Sequence, residues 1–173
     1  MCIVLDANCF SKVFNSDNAE HAEFRPILAW IVEGDGCLVY GGTRYKAELA
    51  AARRYLGIFV ELGKLGKVRQ TDDAKVDARE TAIQAFLNPA KHGDPHLPAI
   101  VCACGCRLVC TDDAKACALL KDRRCYPREV TVPSLYTSSR NSDLLCPKYI
   151  AEFCKPSVRL PKRSQKSVSN VID

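Results

Sequence analysis

Short apolar segments alternate with helix-length segments along most of this chain, and this alternation limits its possible folds more than any other feature. Candidate strands occur at 2–5, 37–40 and 107–110, with weaker candidates at 67–70 and 130–132. Between them, apolar residues recur at helical spacing. No two-residue hairpin signal joins the runs, so consecutive strands need helical crossovers and lie parallel. The sequence therefore predicts a doubly wound, three-layer α/β/α fold with a central parallel sheet.

Capping patterns predict four helix starts, at Asp17, Thr43, Asp77 and Asp94. The helix from Thr43 is expected to be long, because an apolar stripe continues along it, and the glycines at 63 and 66 close this region. That stripe consists of Tyr45, Leu49, Ala52 and Leu56. Asn88-Pro89 is expected to end the third helix and Gly105 the fourth.

Length and composition favour one domain with an appendage. The 173 residues are 47% hydrophobic and 26% charged, which is ordinary for a globular protein with a sizeable core. No apolar run approaches the roughly 18 residues of a membrane span, and the first residues lack the basic region of a signal peptide. We therefore expect a cytoplasmic protein without a membrane partner, with one domain at 1–150 and a tail at 151–173.

The predicted tail is strongly basic. From Lys155 onward, five basic residues face one acid, which gives a net charge of +4 out of +5 for the whole chain. Proline and several serines accompany these charges, a composition typical of disorder. The tail is expected to be disordered and to serve either solubility or contact with nucleic acid.

Eleven cysteines raise the question of disulfides or zinc. Cys102, Cys104 and Cys106 are two residues apart, so they would not share a helix face. No pair of C-x2-C motifs is present. Since cysteine is also a common small buried residue, we expect mostly reduced, structural thiols.

Acidic residues follow or flank the predicted strands. Asp6 ends the first strand, Asp112-Asp113 end the fourth, Glu48 lies in the helix after the second strand, and Asp94 opens the helix before the fourth. In a doubly wound sheet, ligands bind beyond the carboxyl ends of the strands, where these side chains can meet. Taken singly, Asp94 and Asp113 are also good N-caps and Glu48 is an ordinary surface charge.

Together, four such carboxylates would repel strongly. Two charges about 4 Å apart repel by about 4 kcal/mol at an effective dielectric of 20. A helix N-terminus stabilises a carboxylate by only about 0.3–1 kcal/mol. An all-oxygen cluster therefore predicts a bound cation, Mg²⁺ or Mn²⁺, of the kind that activates water against phosphodiesters.

Three strings resemble those of PIN-domain proteins, metal-dependent ribonucleases found alone and as toxins of toxin–antitoxin pairs. They are VLDAN (4–8), YGGTRYKAEL (40–49) and GDPHLPAIVCACGCRLVCTDD (93–113). The resemblance covers about residues 1–135 and implies an RNA substrate, an antitoxin partner and a homodimer. It implies catalytic and metal-binding roles for Asp6, Glu48, Asp94 and Asp113, with Asn8, Thr111 and Asp112 in support. The cysteines in the last string depart from the aliphatic residues usual there.

Basic residues on the helix of Glu48 are candidate nucleic-acid contacts. Arg44, Lys46 and Arg53 could neutralise phosphates, although solvated helix positions explain them somewhat better. His92 and His96 flank Asp94, and we interpret His96 as a helix-surface or capping residue.

Three functions remain open from the sequence. The favoured one is a Mg²⁺- or Mn²⁺-dependent endoribonuclease. A phosphotransfer domain fits less well, because Asn8 stands where a phosphatase needs a second aspartate. A non-catalytic nucleic-acid or protein-binding module with the same fold is the alternative. The amphipathic segment 18–32 is a candidate dimer surface, with Trp30 either in the core or at that interface.

Overall fold

The computed structural model describes residues 2–87, 93–149, 151–155 and 159–172. The strands are β1 (Cys2–Leu5), β2 (Cys37–Tyr40), β3 (Val68–Gln70), β4 (Leu108–Cys110) and β5 (Ser134–Tyr136). The α-helices are α1 (Phe10–Phe14), α2 (His21–Val32), α3 (Thr43–Ala51), α4 (Arg53–Lys64), α5 (Asp73–Gln84), α6 (His96–Cys104), α7 (Ala114–Lys121) and α8 (Lys162–Ile172). Short 3-10 turns lie at Ala7–Cys9, Arg123–Cys125, Ser139–Leu144, Pro147–Tyr149 and Glu152–Cys154.

The five strands form one parallel sheet in the order β3-β2-β1-β4-β5. β1 lies at the centre, and all of its residues and those of β4 are buried, which is why both read as continuous apolar runs. The chain winds outward from β1 to β3 and then returns to the other side of β1. Because crossovers between parallel strands share one hand as a rule, this reversal places helices on both faces of the sheet. The predicted three-layer α/β/α fold is confirmed.

The single long helix predicted from Thr43 is two helices. The chain bends at Ala52, whose φ and ψ are −84° and 52°, and α3 ends there before α4 begins. The bend shifts the phase of the buried stripe, so Leu56 is 40% exposed while Phe59 and Leu62 are buried. A small residue at 52 gives no sequence signal for such a bend.

Four other boundaries differ from the predictions. The first helix does not start at Asp17, because α2 begins at His21 after Glu20. The last strand lies at Ser134–Tyr136 rather than at 130–132. Asp72, not Asp77, caps α5, since α5 begins at Asp73 and the Asp72 side chain accepts the Lys75 N–H. Asp77 lies inside the helix, where its carboxylate accepts from Thr43. Pro95, not Asp94, is the N-cap residue of α6, although that helix does end at Gly105 in the left-handed conformation. The helix stop predicted at Asn88-Pro89 lies outside the described residues.

The predicted disordered tail contains an ordered helix, α8, which packs against α4. Val168 is buried, and Ser167 donates a hydrogen bond from Oγ to Glu61 Oε1 at 3.0 Å. The prediction of disorder was wrong here because a single apolar stripe is hidden among serines and basic residues. The basic side chains of α8, Lys162, Arg163 and Lys166, are exposed.

A disulfide joins Cys2 of β1 to Cys154, across 152 residues. The other nine cysteines are free and mostly buried, so the prediction of reduced structural thiols is wrong for one pair and holds for the rest. Structural disulfides persist in oxidising compartments. The cytoplasmic location therefore stays a prediction.

The apolar side of α2 belongs to the protein's own core. Phe24, Ile27 and Ile31 are buried, and Trp30 is only 8% exposed, which places it in the core rather than at an interface. The apolar side chains that suggested a dimer surface at 18–32 are therefore already buried within the protomer.

Across the described ranges, no helix combines the length and the apolar character needed to cross a bilayer.

Candidate functional site

The order of the sheet reverses between β1 and β4, and the side chains that follow these two strands meet. Thr111, which is fully buried, donates its hydroxyl hydrogen to Asp6 Oδ2 at 2.7 Å. Its oxygen also accepts the backbone N–H of Asp113 at 3.2 Å. Parallel doubly wound sheets bind ligands at this crevice. Thr111 thus fixes Asp6 at the position where a ligand site is expected.

Asp6 carries the most buried carboxylate of this edge, with 3% of the residue exposed. Burial raises its pKa, and the charges of Asp94 and Asp113 raise it further. The hydrogen bonds from Thr111 and from the Asn8 backbone N–H oppose that rise in pKa. Asn8 contributes its backbone to Asp6, while its own side chain is exposed and accepts from Cys9.

Tyr45 positions α3 against the end of β1. Its buried hydroxyl donates to the Leu5 carbonyl at 2.6 Å, directly before Asp6 in the chain. Burial raises the pKa of Tyr45 well above its ordinary value, so the phenol stays a donor. Glu48 follows three residues later, on the same side of the helix. This contact brings Glu48 to the carboxyl edge of the sheet.

Carboxylates of α5 hold the N-terminus of α3. Asp77 accepts from the backbone N–H and the hydroxyl of Thr43 at 2.8 and 2.6 Å, and Asp73 accepts from the Gly42 N–H at 2.8 Å. Gly42 has a φ of +84°, and a Cβ there would come within 2.5 Å of Val76 on α5. Only glycine lets the two helices approach this closely without strain. The result is a fixed orientation of the first turn of α3, which carries Arg44.

Arg44 is the basic residue that contacts Glu48, Glu80 and Asp94 at this edge of the sheet. It donates through Nη2 to Asp94 Oδ1 at 2.5 Å and through Nε to Glu48 Oε1 at 3.3 Å. Its Nη1 lies 3.6 Å from Oε1 of Glu80, a side chain only 10% exposed. The sequence suggested a phosphate contact, whereas the guanidinium is shared among three carboxylates of its own chain. Part of the like-charge repulsion is therefore compensated from within.

Burial and the charge of Arg44 have opposite effects on the pKa values of the carboxylates around Arg44. Burial raises the pKa of Glu48, the charge of Asp94 adds to the rise, and Arg44 opposes it. The pKa of Glu80 is likewise raised by burial and lowered by Arg44. For both carboxyl groups, burial favours the protonated form and the positive charge of Arg44 favours the ionised form.

Glu48, Asp94 and His96 each offer one ligand atom within 4.8 Å of the other two. Among the described residues, no other group of three or more such side chains meets this criterion. Asp6 and Asp113 lie at the same edge but outside the group. The structure therefore brings together two of the four predicted metal-binding residues, and adds a histidine.

His96 was interpreted from the sequence as a surface or capping residue, and this was wrong. The residue is fully buried, its ring lies edge-on to Tyr45, and burial followed by the charge of Arg44 lowers its pKa to about 3. A usable signal was present, because the apolar run 97–103 predicts a helix buried on all sides. A histidine at the first position of such a helix must be buried with it. His92 lies outside the described residues.

The adjacent aspartates after β4 have separate roles. Asp113 caps α7, since its Oδ1 accepts the Ala116 N–H at 2.6 Å. Asp112 instead pairs with Lys12, which also pairs with Glu20 at 2.5 Å. Burial would lower the pKa of Lys12, but its bonds to these two carboxylates outweigh that effect and raise it.

Two of the three predicted nucleic-acid contacts already have anionic partners. Arg44 lies in the acidic group, and Lys46 Nζ lies 2.6 Å from Asp73 Oδ2. Arg53 is exposed at the start of α4. Of the predicted basic residues, Arg53 is therefore the best placed for an external phosphate.

No protein-family model, curated protein or solved structure matches this chain. The site offers converging oxygen and nitrogen ligands, a buried aspartate held by a threonine, and an internal arginine, all at the crevice of a parallel sheet.

Proposed function

We propose that this protein is a metal-dependent endoribonuclease that hydrolyses RNA phosphodiesters at the carboxyl edge of its sheet, with Mg²⁺ or Mn²⁺ as cofactor. One observation carries the proposal: Asp6, Glu48, Asp94 and Asp113 come from distant parts of the chain and lie at the one edge where a doubly wound sheet binds its ligand. The resemblance of the three sequence strings to PIN-domain ribonucleases agrees with it.

The donor set fits a divalent cation. Glu48, Asp94 and His96 would hold it, and Asp6 and Asp113 would face it from the ends of β1 and β4. When bound, such an ion neutralises the carboxylates and stabilises the negative charge that builds up during phosphodiester hydrolysis.

The chain's own residues then have distinct tasks. Thr111 holds the Asp6 carboxylate in one orientation, and burial of Asp6 excludes bulk water from one side of it. Arg44 offsets negative charge and would face a phosphate that approaches Asp94. Arg53 and the exposed basic residues of α8 would supply contacts that do not depend on RNA sequence.

An RNA-cleavage assay tests the proposal. Labelled single-stranded RNA is incubated with the purified protein in Mg²⁺, Mn²⁺ or EDTA, beside Asp6→Asn and the matched control Asp17→Asn at an exposed position. We expect cleavage with a divalent ion, none in EDTA, loss in Asp6→Asn and full activity in Asp17→Asn. Cleavage that survives both EDTA and Asp6→Asn would show a contaminant and sink the proposal.

One observation favours the alternative, a non-catalytic nucleic-acid or protein-binding module. Arg44 already neutralises part of the acidic group, so less negative charge is left there for a metal to balance. Tight RNA binding without cleavage in any divalent ion would establish this function instead.

Further partners follow from the resemblance alone. As the toxin of a toxin–antitoxin pair, the protein would bind an antitoxin, and it would form a homodimer. Because the apolar side of α2 is buried in the protomer, a dimer would need another surface. Light scattering of the purified protein tests the dimer directly.

A further inference from the structure

His96 is a buried polar side chain without a hydrogen-bond partner. None of its surface is exposed, and neither ring nitrogen makes a hydrogen bond. Leaving a buried polar group unsatisfied costs about 1–3 kcal/mol, so a purely apolar side chain would serve the core better here. Packing alone therefore does not explain an imidazole at this position.

The ring is aimed at the acidic group. Its Nε2 lies 3.4 Å from Oε2 of Glu48, and the three ligand atoms of Glu48, Asp94 and His96 converge within 4.8 Å. Tyr45 packs edge-on against the ring and restricts its reorientation. The histidine is thus fixed with a nitrogen facing two carboxylates.

Arg44 does not provide a hydrogen-bond partner for this nitrogen of His96. Its guanidinium bonds to Asp94 and Glu48 but makes no hydrogen bond to His96. A cation centred between the carboxylates would instead take all three ligand atoms at once, and would compete with Arg44 for the oxygens.

The ligand chemistry distinguishes the metals. Mg²⁺ favours oxygen ligands, whereas imidazole nitrogen suits the later first-row ions, whose affinity for such sites rises from Mn²⁺ toward Cu²⁺ and stays high at Zn²⁺. We propose that Glu48, Asp94 and His96 form a mixed nitrogen–oxygen site that binds a divalent first-row transition ion in preference to Mg²⁺. This inference rests on the proposed function for its place at the reaction edge, and names the metal class that the same site takes.

Metal binding without RNA tests it. Mn²⁺, Zn²⁺ and Mg²⁺ are titrated separately into the full chain by calorimetry, with His96→Leu and the control His21→Gln, whose ring bonds to a backbone carbonyl outside the group. We expect wild type and His21→Gln to bind Mn²⁺ and Zn²⁺ more tightly than Mg²⁺. His96→Leu should weaken transition-ion binding on the order of tenfold or more while changing Mg²⁺ binding little. Equal transition-ion affinities in wild type and His96→Leu would overturn the inference.

A second readout covers a His96→Leu variant that fails to fold. In wild type labelled with ¹⁵N-histidine, diamagnetic Zn²⁺ should shift the imidazole resonances of His96 and leave those of His21 in place. No shift at saturating Zn²⁺ would exclude His96 as a ligand. If His96 binds the ion but RNA stays intact, the proposed function falls and this inference stands; if RNA is cleaved with Mg²⁺ and His96 is not needed for metal binding, the reverse holds.

Discussion

Thr111 and Asp6 are 105 residues apart, yet their 2.7 Å hydrogen bond joins the ends of the two strands between which the sheet order reverses. Because Thr111 also accepts from the Asp113 backbone, one hydroxyl organises both acidic strand ends. The bond is fully buried on the threonine side. It is therefore both a structural and a positioning contact.

Replacing Thr111 by valine should destabilise the protein, because the Asp6 carboxylate loses its side-chain donor while staying buried. We expect a loss of about 1–3 kcal/mol in the free energy of unfolding, measured by urea denaturation with an unchanged m-value. Thr111→Ser keeps the hydroxyl and should lose less than the valine variant. A valine variant as stable as wild type would contradict this role.

Asp113 allows its capping role to be separated from its charge. Asn is as good an N-cap as Asp, whereas Ala costs about 0.5–2 kcal/mol. Thermal unfolding should therefore show Asp113→Ala less stable than wild type and Asp113→Asn close to it. If the charge of Asp113 serves the proposed reaction, RNA cleavage should fall in both variants. Full cleavage by a stable Asp113→Asn would leave Asp113 with a capping role only.

The sheet and the acidic strand ends could be predicted from sequence because they depend on local patterns. Buried parallel strands read as apolar runs, and the residue after each run lies at the carboxyl edge by geometry alone. This reasoning placed Asp6 and Asp113 correctly at that edge. The α8 helix was missed because its apolar residues are too few to stand out from its charges.

The interior of the site could not be predicted, because it depends on contacts between distant helices. Arg44 meets Asp94 only because the first turn of α3 lies beside the residues that precede α6, 50 residues away in sequence. The role of His96 needed the burial of α6 to be recognised first. The Cys2–Cys154 disulfide likewise depends on where the chain returns after 152 residues, which spacing alone does not reveal.

Asp73 should give the protein a pH-dependent stability. The hydrogen bond from Lys46, followed by that from the Gly42 N–H, lowers the pKa of Asp73 in the folded protein. A carboxyl group with a lowered folded-state pKa stabilises the fold above its unfolded-state pKa, and this stability is lost as the pH falls through the folded-state value. Asp73→Asn keeps an acceptor for Gly42 but removes the charge.

We therefore expect wild type to be more stable than Asp73→Asn above about pH 5, with the difference shrinking below about pH 4. Urea denaturation from pH 3 to 7 measures it. Lys46→Gln removes the partner instead and should give the same profile. A difference that does not change with pH would show that the ion pair contributes nothing.

Arg44 should compete with a bound cation for the oxygens of Glu48 and Asp94. Arg44→Gln removes the guanidinium and leaves these carboxylates and Glu80 to repel one another, so the metal-free variant should unfold at a lower temperature than wild type. Mn²⁺ should then raise the unfolding temperature of Arg44→Gln more than that of wild type, because a ligand stabilises in proportion to the logarithm of its affinity.

The exposed Arg53→Gln is the matched control and should respond to Mn²⁺ as wild type does. Differential scanning fluorimetry in EDTA and across a Mn²⁺ titration gives both comparisons. Equal Mn²⁺ shifts in Arg44→Gln and wild type would mean that the arginine and the metal do not share a site. In that case Arg44 would be a structural counter-ion, and a metal would have to bind elsewhere along the edge.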